Sequence, residues 1–171
     1  AGVQFIMQCC GALAMFRGWG GDKEITDKIT AATGIPTASH GEAEVEALKR
    51  LNIHRVAVFT PYEESINEGV RNYLTGAGLD VVFLKRLGPA RELVEISPYG
   101  LYRPVKEAYL KAPPNDGIFI MGGALRTFQI IEPLEYDTGK PVVTAVQSSL
   151  WKSLSAVSIR EPIKGYGKLL Q

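Results

Sequence analysis

Apolar and polar positions along this chain follow two periods, and the period switches at regular intervals. Apolar runs at residues 3–7, 55–60, 80–84 and 117–121, with shorter ones at 35–38 and 141–144, read as strands. Between them, residues 22–32 place Ile25, Ile29 and Ala32 on one helical face, and residues 42–51 do the same with Val45, Leu48 and Leu51. Residues 65–77 set Ile66, Val70, Tyr73 and Leu74 inward, with Gly78 as the stop. Further helices are expected at 101–111, 130–136 and 148–154, while residues 85–98 read as a weakly patterned loop. Strands alternating with helices through short connections predict an α/β fold with parallel sheets covered on both faces.

The pattern also repeats. Cys10-Gly11-Ala12-Leu13 with Phe16 returns 112 positions later as Gly122-Gly123-Ala124-Leu125 with Phe128. Thr33-Gly34-Ile35-Pro36 returns 105 positions later as Thr138-Gly139-Lys140-Pro141. A period this long points to two related half-molecules, since solenoid repeats run about 20–50 residues. The expected architecture is two pseudosymmetric parallel-sheet α/β domains with the active site in the cleft between them. Residues 1–52 would be the remainder of the first domain, 53–145 the second, and 146–171 a C-terminal helix and tail returning to the first. The second half has a strand at 55–60 well ahead of its motif and the first half has none, so an N-terminal strand–helix segment is expected to be missing.

Composition narrows the function classes. With 171 residues, 46% hydrophobic and 22% charged, the chain can bury a full core. A net charge of +1 and no Lys/Arg block longer than two argue against nucleic acid as a partner. No apolar run approaches the roughly 20 residues of a membrane span. The two cysteines, Cys9 and Cys10, are adjacent and provide no disulfide scaffold, which suits a reducing, cytoplasmic setting. His40 and His54 are isolated and no CxxC occurs, so no metal site is expected. Gly18-Trp19-Gly20-Gly21 lacks the Lys-Ser/Thr ending of a phosphate loop and reads as a mobile turn.

In parallel α/β sheets, ligands gather at the carboxyl ends of strands. Three loops fit: 9–11, 60–62 and 122–123. The last carries no side chains, so its backbone N–H groups can approach a ligand closely. Cys10 and Gly122 occupy equivalent places in the repeat, so one wall carries a thiol where the other carries glycine. Cys9 is expected to face the other side of its strand as a buried apolar residue. His40 reads as structural or exposed, and Arg126 as a solvated helix residue.

Several segments carry a family resemblance. Thr60-Pro61-Tyr62-Glu63-Glu64-Ser65-Ile66-Asn67-Glu68, then Asp116-Gly117-Ile118-Phe119-Ile120-Met121-Gly122-Gly123 with Arg126-Thr127, resemble the arylmalonate decarboxylase and maleate isomerase group of the aspartate/glutamate racemase superfamily. Gly139-Lys140-Pro141-Val142-Val143-Thr144 with Trp151 is similar to that group's following strand–helix unit. Phe16-Arg17-Gly18 and Gly165-Tyr166-Gly167-Lys168-Leu169 resemble arylmalonate decarboxylase in particular. The likeness spans essentially the whole chain and implies two α/β domains around a cofactor-free site. It puts the family's two cysteine positions on Cys10 and Gly122. Racemases of that superfamily use both thiols, and arylmalonate decarboxylases typically keep only the second. This chain has the reverse, and Gly11 and Ala12 stand where hydroxyl residues usually follow the first position.

The resemblance implies bond cleavage beside a carboxylate through an enediolate, which needs preorganised donors and one delivered proton. Cys10 is the expected catalytic acid. Backbone N–H groups of Gly11 and Gly123, both expected at helix N-termini, would hold the developing anion with the Tyr62 hydroxyl. Gly11, Ala12, Asn67, Gly122 and Gly123 form the expected substrate-binding set, with Leu13, Met121 and Leu125 as apolar surroundings. One thiol argues against two-base racemisation and for decarboxylation of an arylmalonate-type dicarboxylate. Maleate cis–trans isomerisation, with Cys10 as nucleophile, is the alternative, and a degenerate carboxylate-binding protein is the alternative outside enzymes. A small dicarboxylate is the expected partner, and the sequence leaves a homo-oligomer open.

Overall fold

The computed structural model describes residues 2–10 and 15–171. Its elements run β1 (Ile6–Gln8), α1 (Lys23–Thr33), β2 (Thr37–Ser39), α2 (His40–Arg50), β3 (Arg55–Thr60), α3 (Glu64–Gly76) and β4 (Asp80–Arg86). Then come α4 (Ala90–Leu93), α5 (Pro98–Tyr109), β5 (Gly117–Ile120), α6 (Phe128–Thr138), β6 (Val142–Thr144), α7 (Ala145–Ala156) and a 3-10 turn at Lys168–Leu170. All strand pairs are parallel. β1 pairs with β2, and a separate four-stranded sheet runs β4-β3-β5-β6. The expected α/β class with parallel sheets is therefore the observed one.

The four-stranded sheet holds the core because its central strands are apolar on both faces. Val56 and Val58 of β3 and Phe119 of β5 point to a cluster with Leu48, Tyr73 and Leu74 from α2 and α3. Ala57, Phe59, Ile118 and Ile120 point to the opposite cluster, with Leu101 and Val105 of α5 and Ile130, Ile131 and Leu134 of α6. This is the alternation a sheet covered by helices on both sides requires.

The two-stranded sheet differs from expectation. β1 is half-buried rather than buried, because β2 is its one partner among the described residues. On α1, Ile25 and Ile29 are only half-buried and Ala32 is exposed, while Thr26 is the buried residue.

Helix caps set the starts of α2, α5 and α7, and each precedes the periodic apolar residues by several positions. The Ser39 hydroxyl accepts from the Glu42 N–H at 2.9 Å, so α2 begins at His40. Ser97 caps α5 with Pro98 in the first turn. Thr144 and Gln147 form a reciprocal capping box that starts α7 at Ala145. The internal repeat is visible at the same level. Gly34 and Gly139 close α1 and α6 with φ/ψ of 70°/5° and 69°/6°. Ser39 and Thr144, also 105 positions apart, cap the helices that follow.

The tail is pinned to α6. The buried Glu135 carboxylate accepts from the N–H groups of Val142 at 3.0 Å and Lys168 at 3.1 Å. Gly167 has φ +83°, and a Cβ there would lie 2.3 Å from Ile131 Cγ2, so only glycine lets the tail pass this close.

Candidate active site

Residues after β1, β2, β3, β5 and β6 converge on one cavity of about 420 Å³. Its lining comprises Cys9, Cys10, His40, Glu44, Tyr62, Met121, Gly123, Ala124, Val146 and Ser149. The convergence follows from parallel sheets, whose carboxyl ends all face one way. Contributions come from both sheets, and α2 and α7 open toward the cavity at their N-terminal turns, where unpaired N–H groups and the helix dipole favour an anion.

Cys10, Tyr62 and Gly123 all line this cavity, and Gly122 lies buried beside Gly123. Gly11 and Ala12, with Leu13, lie outside the described residues. Asn67 is not at the cavity. It is buried beneath the β3–α3 turn, where its amide donates to the Tyr62 carbonyl at 3.0 Å and its carbonyl accepts from Thr60 Oγ1 at 2.6 Å. Its local geometry spends both of its polar ends on the turn that positions Tyr62.

Two further expectations change. Cys9 is exposed and lines the cavity with Cys10, its thiol donating to the Met7 carbonyl at 3.6 Å. β1 ends at Gln8, so the alternation of a strand does not extend to residues 9 and 10. Partial burial pushes the Cys9 thiol pKa up. Gly123 is not at a helix N-terminus, because α6 begins only at Phe128 and residues 123–124 form a turn closed by Leu125 N–H donating to Gly122 O at 3.1 Å. Among the described residues, the N–H groups of Gly122 and Gly123 have no acceptor, and that of Gly123, which lines the cavity, can meet an oxyanion there. Arg126 is exposed, and Gly18-Trp19-Gly20-Gly21 forms a turn.

Sequence reading missed the polar side of the cavity. His40 is 6% exposed; its Nδ1 lies 2.7 Å from Ser149 Oγ on α7 and its Nε2 3.2 Å from Glu44 Oε1, one helical turn along α2. Both Glu44 oxygens are buried, and among the described residues the close approach of His40 Nε2 is the one polar side-chain contact they make. Burial raises the Glu44 pKa above the ordinary glutamate value, and the negative charge of Asp22 adds to this. For His40, burial works against the charged form, yet the Glu44 carboxylate outweighs it and the pKa rises. Burial, then Glu44 and Cys10, push the Tyr62 pKa up, so its hydroxyl stays a proton-bearing donor. The one signal in the sequence was the i, i+4 spacing of His40 and Glu44 after a Ser cap.

Met121, Ala124 and Val146 form the apolar part of the lining, and no Lys or Arg lines the cavity among the described residues. The described residues hold no cluster of three or more metal-ligating side chains. No helix is long and apolar enough to cross a membrane among them.

A family model described as arylmalonate decarboxylase matches residues 1–170. The chain belongs to the arylmalonate decarboxylase family. Arylmalonate decarboxylase of Bordetella bronchiseptica is 27% identical over 161 residues, covering 92% of this chain and 67% of its own length. Maleate isomerase of Pseudomonas putida is 25% identical over 176 residues, covering 99% and 70%. The structure of unliganded arylmalonate decarboxylase superposes with a TM-score of 0.91 at 26% identity, covering 99% of this chain and 75% of that one. The family places the chain among the lyases and isomerases of the aspartate/glutamate racemase-like group.

Proposed function

We propose that this protein is a cofactor-independent decarboxylase of arylmalonate-type dicarboxylates, in which Cys10 protonates an enediolate intermediate. The observation that carries this reading is the pairing of a free thiol at one wall of the cavity with a glycine turn at the other. Loss of carbon dioxide leaves an electron pair delocalised into the remaining carboxylate. No base is needed, and one acid completes the reaction. The Gly123 N–H and the Tyr62 hydroxyl are the donors for the enediolate oxygens. Met121, Ala124 and Val146 supply the apolar surface against which the departing carboxylate loses its water.

Maleate isomerisation is the second reading. It is favoured by the exposure of the Cys10 thiol, which a nucleophile adding to a double bond requires, and by the likeness to a maleate isomerase.

The test is carbon dioxide release from phenylmalonate beside an ultraviolet assay of maleate conversion, on the full-length protein and its Cys10→Ala variant. Decarboxylation is expected in the wild type, with a loss of about a hundredfold or more in the variant. Maleate turnover in its place would make Cys10 a nucleophile, and inactivity toward both in a folded protein would sink the enediolate reading. With a prochiral 2-methyl-2-phenylmalonate, protonation from the Cys10 wall predicts the enantiomer opposite to that made by a decarboxylase whose thiol stands on the other wall.

A further inference from the structure

We propose that Ser149, His40 and Glu44 form a serine–histidine–glutamate triad in this cavity, giving the protein a second activity, the hydrolysis of uncharged carboxylic esters through an acyl-serine. The inference goes beyond the enediolate reading above and needs neither the Cys10 thiol nor a carbanion.

Three observations carry it. First, the three side chains line the cavity and are linked end to end. Ser149 Oγ lies 2.7 Å from His40 Nδ1, and Glu44 Oε1 lies 3.2 Å from His40 Nε2. A carboxylate on that side draws the ring proton to Nε2 and leaves the Nδ1 lone pair facing the Ser149 hydroxyl. Nucleophile, base and orienting carboxylate thus stand in the order that acyl transfer requires. Second, Ser149 departs from its neighbours on α7. Ser148 and Ser153 donate their hydroxyls to the carbonyls of Ala145 and Ser149, at 2.9 and 2.7 Å, the ordinary local partners of a helix serine. The Ser149 hydroxyl instead meets a histidine 109 residues away. Third, an oxyanion donor stands beside the ring. The Gly123 N–H has no acceptor among the described residues, and a Cβ built on Gly123 would lie 3.8 Å from both Cε1 and Nε2 of His40. The apolar wall of Met121, Ala124 and Val146, with no Lys or Arg in the lining among the described residues, suits a neutral ester.

The step balances without an oxidant or reductant. The Ser149 oxygen adds to the ester carbonyl carbon while its proton passes to His40 Nδ1. The carbonyl π pair moves onto oxygen, where the Gly123 N–H meets it. The tetrahedral adduct then collapses, the bond to the alcohol oxygen breaks, and the imidazolium returns its proton to that oxygen. Water repeats both steps on the acyl-serine with His40 as base, releasing the carboxylic acid and restoring Ser149. Glu44 is the positioning residue, holding the ring through Nε2 and favouring the imidazolium. The groups facing the ring are Glu44 from α2, Ser149 from α7, Cys9 and Cys10 after β1, and Tyr62 after β3, with Asp22 acting on Glu44 from before α1.

The test combines a covalent probe with turnover. The full-length protein is incubated with an ethoxy fluorophosphonate, which phosphonylates activated serines and spares thiols, and peptide mass spectrometry locates the adduct. Hydrolysis of p-nitrophenyl acetate is followed on the same preparations. The wild type is expected to carry the adduct on Ser149, to turn over the ester many times per chain, and to lose turnover once labelled. Ser149→Ala and His40→Asn should each lower kcat/KM for the ester by about a hundredfold or more. In His40→Ala, added imidazole should restore turnover, a rescue that a merely structural histidine would not show. Glu44→Gln, which preserves volume, should move the pH profile of hydrolysis to lower pH, and an unmoved profile would remove Glu44 from the triad. A wild type without an adduct on Ser149 overturns the proposal. So does ester turnover in Ser149→Ala equal to that of the wild type, which would assign acyl transfer to a cavity thiol. Phenylmalonate decarboxylation is read separately on the same protein, so the failure of either activity is distinguishable from that of the other.

Discussion

Gly122 holds φ +118°, and a Cβ at this position would meet Leu125 Cγ and Pro61 Cγ at 3.1 Å. The missing second thiol is therefore a matter of backbone as well as side chain. Gly122→Cys is expected to lower stability by about 1–3 kcal/mol, the usual cost of a side chain in a sparsely populated backbone region. A thermal melt would show this as a fall in Tm, and an unchanged Tm would mean the turn relaxes freely. Other residue-scale features were legible without a structure. The contrast between Cys10 and Gly122 needs only the repeat, and Tyr62 at the end of β3 needs only the strand pattern. Cys9 was misjudged because strand alternation was carried one residue too far. His40 was passed over because an isolated histidine gives no hint of what stands 109 residues away.

At the scale of elements, the strand-to-helix turn after β3 shows how a site residue is held. Asn67 satisfies both Thr60 Oγ1 and the Tyr62 carbonyl, so Asn67→Ala leaves buried polar groups unpaired as well as removing two hydrogen bonds. A loss of about 2–3 kcal/mol is expected from such a change, readable as a lower urea midpoint, together with a lower kcat as Tyr62 loosens. A stability loss with unaltered turnover would show that the turn does not govern the Tyr62 hydroxyl. The order and type of the longer elements follow from apolar periodicity, as the agreement at β3, α3 and β5 shows. Their starts were misplaced where a cap overrides periodicity. Ser39, Ser97 and Thr144 each begin a helix two or three residues before the first expected helical position. These signals were present in the sequence, in the Ser-Pro pair and the Thr-x-x-Gln spacing.

For the whole molecule, the buried His40–Glu44 pair makes stability depend on pH. Both groups have folded-state pKa values above their ordinary values of 6.5 and 4.5, so the folded chain holds its protons to higher pH than the unfolded chain. As pH rises from 4.5 through and beyond 6.5, the unfolded chain releases protons first and the stability from these groups is lost. In Glu44→Gln the carboxyl contribution is gone and burial alone acts on His40, lowering its pKa. The stability of the wild type relative to this variant should therefore fall between about pH 5 and about pH 8. Urea denaturation at the two pH values checks the sign; a constant difference would mean the pair titrates as it does in the unfolded chain.

The sequence by itself determined the alternation of strands and helices, the parallel class, the internal repeat, and the presence of a thiol on one wall only. These are properties of short segments: apolar period, cap and turn residues, and the chemistry of single side chains. The tertiary structure alone decided that five strand ends share one cavity, that Ser149 meets His40, that Glu44 lies buried against His40, and that Asn67 faces the turn instead of the cavity. Each of these depends on sheet order and on how α2 packs against α7. Such contacts join residues far apart in the chain, and no local pattern records them.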